Sequence, residues 1–287
     1  MRAVYRRAMD IPPVIATHYA VVRTLGTGSF GRVLEVMDTR TGAKAALKLE
    51  DKRAEFPQLL YEARILEELG HVHGFPELYW FNTFQEWNVL VMPLLGQTLE
   101  ASRLAGRDSV LPWADVADVA RQGLDRLRTL HRFGWAYRDI KPENFVWHRE
   151  RGHNVLYLID FGLSKRVIYP GTSDHIAHKS GKTMAGTPRY ASICAHNGEE
   201  QSRRDDLESF AYMLVFLAKG QLPWQRLPAS KDDSNFSRIG ACKRATPLMD
   251  LCAGLPSCLA RTLAHARECA FAAIPDYEYL DSLWEAA

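Results

Sequence analysis

Residues 137–144 read Tyr137-Arg138-Asp139-Ile140-Lys141-Pro142-Glu143-Asn144, and Asp160-Phe161-Gly162 follows a short apolar run downstream. Together these strings place two aspartates, a lysine and an asparagine where one phosphoryl transfer can use all four. One Asp orients an attacking hydroxyl, while the Asn and the second Asp offer oxygen to a divalent cation held against phosphates. Either string alone is a short match that chance supplies. Both in this order form a constellation.

The glycine pattern upstream supplies what such a site needs next. Gly26-Thr27-Gly28-Ser29-Phe30-Gly31-Arg32-Val33 fits G-x-G-x-x-G-x-V, in which small residues let backbone N–H groups approach phosphate oxygens. A dinucleotide-binding fold would open a helix directly after the last glycine. The stretch Arg32–Asp38 is instead β-rich, which predicts a loop folded over phosphates between two strands. In Ala45-Ala46-Leu47-Lys48, Ala46 and Lys48 share a strand face. Alone, Lys48 is a solvated charge; after this loop it is the lysine expected on the α- and β-phosphates. It needs an anionic partner, and Glu62 is the candidate, with Glu67 and Glu68 as competitors nearer the end of the same helix.

Periodicity sets these motifs in a frame. Strands are expected over His18–Leu25, Arg32–Asp38, Ala43–Leu49, Glu77–Phe84 and Asn88–Met92, with a hairpin turn at Asp38–Gly42. A helix is expected from Pro57 to Gly70. After Gly96 the pattern turns helical: Pro112–His131 is amphipathic, and Asp205–Lys219 is apolar on nearly every side, as a buried core helix is. Tyr169–Thr187 and Pro228–Ser237 read as loops. The frame is α+β and two-lobed, an antiparallel sheet with one main helix followed by a larger, mainly helical part.

At 287 residues with 47% hydrophobic residues, the chain can bury a sizeable core. A net charge of +2 provides no field to attract nucleic acid or an anionic membrane. No apolar stretch approaches the roughly 20 residues of a membrane span. Position 2 is Arg, which does not suit N-myristoylation. Five cysteines (194, 242, 252, 258 and 269) lack any C-x-x-C spacing, so buried reduced thiols are expected and a cytoplasmic setting with them.

The motif set resembles the eukaryotic protein kinases, and within them the casein kinase 1 family, over residues 17–283. The strings that carry the narrower resemblance are Val91–Gly96 with Leu99-Glu100, Leu158–Lys165, Gly186–Ile193, Glu200–Ser209, Gly220–Gln225 and Pro275–Leu280. Ser192-Ile193-Cys194 stands where most kinases carry Ala-Pro-Glu. The resemblance implies a kinase domain over 17–283, with an N-terminal lobe 17–92, a hinge 93–96 and a C-terminal lobe 97–283, after a short extension 1–16. It implies an ATP- and Mg²⁺-dependent Ser/Thr protein kinase acting on acidic or already phosphorylated proteins. The expected form is a monomer without nucleic-acid partner or membrane insertion, in the cytoplasm with the nucleus as a second compartment. The rival of another class is a pseudokinase scaffold that binds nucleotide without turnover.

Residue by residue, the resemblance assigns Asp139, Lys141, Asn144 and Asp160 to catalysis, with Asn144 and Asp160 as metal ligands. Gly26, Gly28, Ser29, Phe30, Gly31, Val33, Ala46, Lys48 and Glu62 would serve the nucleotide. Met92 resembles the gatekeeper, and Pro93 and Leu95 the hinge groups that meet adenine through a carbonyl and an N–H. Asp206 aligns with the buried Asp that anchors the catalytic loop. Tyr137 replaces the usual His in a packing and hydrogen-bonding role. Lys179, Arg189 and Arg226 would form a substrate anion site, with Lys182 on the same loop. Asn235 stands where the family has a lysine.

Overall fold

The computed structural model describes residues 11–28, 31–227 and 235–285. The chain divides into two compact units. The first comprises residues 1–70 and 77–94, the second residues 71–76 and 95–287.

The first unit is a six-stranded antiparallel sheet with one helix. Its strands are β1 (Val14–Ile15), β2 (Tyr19–Gly28), β3 (Gly31–Asp38), β4 (Lys44–Asp51), β5 (Trp80–Phe84) and β6 (Trp87–Pro93), in spatial order β1-β2-β3-β4-β6-β5. Alternation along the strands separates two faces. One face buries Leu34, Val36, Leu47, Leu49, Val89 and Val91 with Ile15 and Tyr19 as an apolar cluster. On the other, register sets Gly26 opposite Val33, Val33 opposite Lys48 and Lys48 opposite Leu90, while Ala46 pairs with Met92. The glycine loop, the lysine and the gatekeeper position therefore share one face. The β3–β4 turn closes at Gly42, whose φ of 75° needs glycine and whose N–H donates to the Asp38 carbonyl at 2.7 Å.

The helix α1 (Leu59–Leu69) starts two residues later than the sequence pattern predicts. Its cap comes from the sheet: Glu50 Oε1 accepts the N–H groups of Gln58 (2.6 Å) and Leu59 (3.1 Å). A carboxylate there satisfies orphan donors and complements the helix dipole. The short β1 pairs with Tyr19 and Ala20 and lies ahead of residue 17, where the lobe was expected to begin.

In the second unit, β7 (Gln97–Thr98) leads into α2 (Leu99–Ala105), followed by α3 (Trp113–Arg132), β8 (Trp135–Ala136), β9 (Phe145–Glu150), β10 (His153–Leu158) and β11 (Lys165–Arg166). Then come α4 (Ile193–His196), α5 (Arg203–Lys219), α6 (Asn235–Ala245), α7 (Leu248–Leu251), α8 (Ser257–Glu268) and α9 (Tyr277–Glu285). The core helix α5 is buried from Asp205 through Leu217. Its close contact with α3 depends on Gly123, where a Cβ would lie 2.4 Å from the Phe210 ring. Residues 71–76 join this unit because the Leu158 N–H donates to the Gly74 carbonyl and Phe75 packs on Phe161 at 6.0 Å between ring centres. No helix among the described residues is long and apolar enough to cross a membrane.

Candidate active site

In the first unit, Lys48 Nζ donates to Glu62 Oε1 at 2.6 Å, with both side chains largely buried. The helix α1 supplies Glu62 from its first turn, while Glu67 and Glu68 are exposed. The competition left open by the sequence thus resolves toward Glu62. The glycines divide by physical role. A Cβ on Gly31 would lie 1.9 Å from the Leu49 carbonyl oxygen, so packing of β3 on β4 alone demands glycine there. A Cβ on Gly26 or Gly28 would meet nothing within 4 Å, and neither glycine has positive φ. Among the described residues, no packing demands glycine at these two positions, whereas phosphate oxygens approaching the backbone would. Ser29 and Phe30, the tip of the loop, lie outside the described residues. Met92 is buried at the end of β6, and Pro93 pairs with Ala45.

In the second unit, Leu95 is half-buried and, among the described residues, its N–H has no protein acceptor, as a hinge donor to a base requires. A Cβ on the neighbouring Gly96 would lie 2.3 Å from the Trp147 carbonyl, which fixes this segment against β9.

The catalytic strings of this unit converge on one carboxylate. Asp139 Oδ2 accepts from Lys141 Nζ at 2.6 Å and from Asn144 Nδ2 at 3.2 Å, and Oδ1 accepts from Thr187 Oγ1 at 2.9 Å. Asn144 Nδ2 also donates to the Asp139 carbonyl at 3.0 Å. Both bonds use the amide nitrogen, which leaves the amide oxygen as the end suited to a hard cation. Asp160 follows Ile159, whose N–H donates to the Asn144 carbonyl at 3.0 Å, so the two proposed metal ligands are coupled through backbone. Asp160 has φ 66° and Arg138 φ 68°, left-handed conformations that cost energy for such residues.

Asp206 stabilises this geometry. It is 1% exposed and accepts the N–H groups of Tyr137 and Arg138, both at 2.7 Å. His131 Nε2 lies 2.9 Å from the same carboxylate, and the Tyr277 hydroxyl 2.5 Å from His131 Nδ1. Tyr137 donates its hydroxyl to the Ile159 carbonyl at 2.5 Å and packs edge-on against Phe161. It therefore ties the loop to the Asp160 segment, consistent with a packing role. Thr187 was missed at the sequence level. Its only signal was its place in the Gly186–Ile193 string.

Among the described residues no three His, Cys, Asp or Glu side chains gather into a metal cluster. The donor set available for magnesium is one amide oxygen and one carboxylate, to which a nucleotide would add phosphate oxygens. That composition fits Mg²⁺, which is usually held by few protein ligands plus phosphate.

The family model described as "Protein kinase domain" matches residues 19–250. The chain belongs to the protein kinase family. This kinase domain is 40% identical over 274 residues to Casein kinase I homolog 1 of Schizosaccharomyces pombe, covering 94% of this chain and 61% of that protein. It is 38% identical over 275 residues to Casein kinase I homolog 2 of the same organism, covering 95% and 63%. Both relatives carry the name of the casein kinase group that the motif strings resemble. The chain spans about three-fifths of the length of these curated relatives.

Of the residues expected at the anion site, the structure describes the side chains of Arg189, Lys179 and Lys182. The Arg189 guanidinium lies over the rings of Phe216 (5.3 Å) and Tyr190 (5.8 Å). Lys179 is exposed. Lys182 sits with Lys165 around Glu200, at 3.7 and 2.7 Å. The side chains of Arg226 and Asn235 lie outside the described residues.

Proposed function

We propose that this kinase domain transfers the γ-phosphate of Mg-ATP to serine and threonine hydroxyls of acidic or pre-phosphorylated proteins. The observation that carries the proposal is the convergence of Lys141, Asn144 and Thr187 on the Asp139 carboxylate. In this arrangement Asp139 accepts a substrate hydroxyl proton and Lys141 offsets charge on the phosphoryl group in flight. Thr187 fixes one carboxylate oxygen in orientation, so little reorganisation accompanies the reaction. Lys48, held by Glu62, serves the α- and β-phosphates, and the open space above Gly26 and Gly28 admits them. Magnesium, when bound, neutralises phosphate charge, with Asn144 and Asp160 as its protein ligands. The aromatic-backed Arg189 supports recognition of an anionic group on the substrate, a role for which arginine's planar fork is suited. The five free cysteines support a reducing, cytoplasmic setting.

Purified protein with Mg-ATP is expected to label casein, and Asp160→Asn to abolish labelling while the variant stays folded. A folded wild-type protein that labels neither casein nor an acidic peptide library would refute the proposal.

A further inference from the structure

The segment Gly186–Ile193 abuts the catalytic loop: Thr187 bonds Asp139, and a Cβ on Gly186 would lie 2.1 Å from the Arg138 carbonyl. A peptide hydroxyl that reaches Asp139 must pass beside this segment. What holds the segment from its other side is a buried cation. Lys243, in α6, is 0% exposed, and its Nζ donates to the carbonyls of Pro188 (2.9 Å) and Ala191 (2.5 Å). The ammonium also lies 5.0 Å from the Tyr212 ring centre and 5.1 Å from that of Trp224. Trp224 adds an Nε1–H donated to the intervening Arg189 carbonyl at 2.7 Å. Carbonyls on both sides of Arg189, and its own, are thus fixed from α6 and the turn Pro223–Arg226.

A buried ammonium with no ion pair among the described residues is an expensive way to fill an aromatic cage. Burial opposes its charge, pushing its pKa down to about 7 against the attraction of Glu208. An apolar side chain of similar volume would fill the same space without that desolvation cost. What an apolar group cannot do is donate to the carbonyls at 188 and 191. We propose that Lys243 is a positioning residue for the peptide-presenting segment, fixing its backbone, and with it Arg189, in the shape that receives substrate. The inference rests on the protein-kinase reading and adds to it a residue that touches neither nucleotide nor reacting atoms.

The test compares Lys243→Met with wild type in steady-state kinetics and in amide hydrogen exchange. The peptide KM is expected to rise about tenfold or more, because the segment must then be ordered when substrate binds. The ATP KM is expected to stay within about twofold, since Lys243 reaches no nucleotide-binding residue, and exchange to accelerate locally over residues 186–196. An unchanged peptide KM, or equal rises in both KM values, would overturn the inference. So would accelerated exchange across the whole second unit with no local excess, which is the signature of a merely structural role. Should the Met variant fail to fold, Lys243→Leu, which likewise removes the N–H donors, carries the same comparison. Wild-type turnover of peptide tests the kinase reading separately: if wild type is active and the variant's KM values are unmoved, only the inference falls.

Discussion

Replacing Asp206 by Asn changes one atom of the chain and tests what stabilises the catalytic loop. The buried carboxylate serves three donors: the N–H groups of Tyr137 and Arg138 at 2.7 Å and His131 Nε2 at 2.9 Å. Oδ1 serves Arg138 and Oδ2 serves the other two. In the Asn variant one oxygen remains. If it stays opposite Arg138, the new NH₂ faces the Tyr137 N–H, donor against donor, in a place water does not reach. Losing a charge-assisted bond costs about 1.5–3 kcal/mol, and a buried unsatisfied donor about 1–3 kcal/mol. Some relaxation recovers part of that sum, which sets the expected loss at about 3–5 kcal/mol, the range seen when one partner of a buried charged group is removed. A domain has only about 5–15 kcal/mol to lose. The left-handed backbone at Arg138 would also lose its support, so phosphorylation should fall further than the folded fraction does. Urea titration followed by tryptophan fluorescence reads the stability change, and casein labelling at a temperature where the variant is folded reads the second effect. A loss below about 1 kcal/mol with full activity would refute the reasoning, because it would mean the loop holds its strained shape without this carboxylate.

Three further outcomes are expected. Gly31→Ala should destabilise by about 3 kcal/mol or more, because its Cβ would lie 1.9 Å from the Leu49 carbonyl, whereas Gly28→Ala should leave the melting temperature unchanged and weaken the stabilisation that Mg-ATP gives; thermal melts with and without nucleotide check both. Arg226→Ala should slow phosphorylation of a pre-phosphorylated peptide more than that of its unprimed counterpart if it shares an anion site with Arg189; equal slowing in the two peptides would separate the residues. Burial pushes the Cys194 thiol up to about 12, so at pH 8 it stays protonated and should react with a disulfide reagent only after denaturation, as a thiol count before and after adding guanidinium would show.

The parts of the site legible in the sequence are those whose chemistry is compressed into a few consecutive residues. Asp139, Lys141 and Asn144 lie on one loop, so their spacing already encodes their convergence. The turn at Gly42 and the core helix α5 were equally local signals. What the sequence hid are contacts between residues far apart along it. Glu50 reads as the last polar letter of a strand, yet it caps α1, and no pattern near residue 58 announces it. The short β1 becomes a strand only because β2 offers it an edge. Residues 71–76 lie in sequence between α1 and β5 of the first unit, but the packing of Phe75 on Phe161 binds them to the second. Glu62 could be preferred to Glu67 and Glu68 only by position on the helix, and the bond to Lys48 decided it.

Lys243 belongs to a wider pattern that explains why such residues escape sequence reading. In the second unit several buried or half-buried cations end on backbone carbonyls: Arg126 on Leu156, Arg203 on Ala272, Arg103 on Ser109, Arg138 on Leu163 and Lys219 on Leu251. A carbonyl is an acceptor that brings no net charge of its own, so this bond desolvates no further carboxylate, although Arg103 and Arg126 also pair with Glu100 and Asp125. The bond also does something an ion pair does not. It fixes main chain, and in this unit the main chain so fixed includes the strand β10, the segment after Asp160 and the peptide-presenting segment. Because a carbonyl is present at every residue, the partner leaves no trace in the sequence, and a lysine or arginine of this kind reads as one more surface charge. The distinguishing mark is that its removal should alter the order of a distant backbone segment more than it alters the electrostatics of the surface, which is the outcome exchange over residues 186–196 is placed to detect.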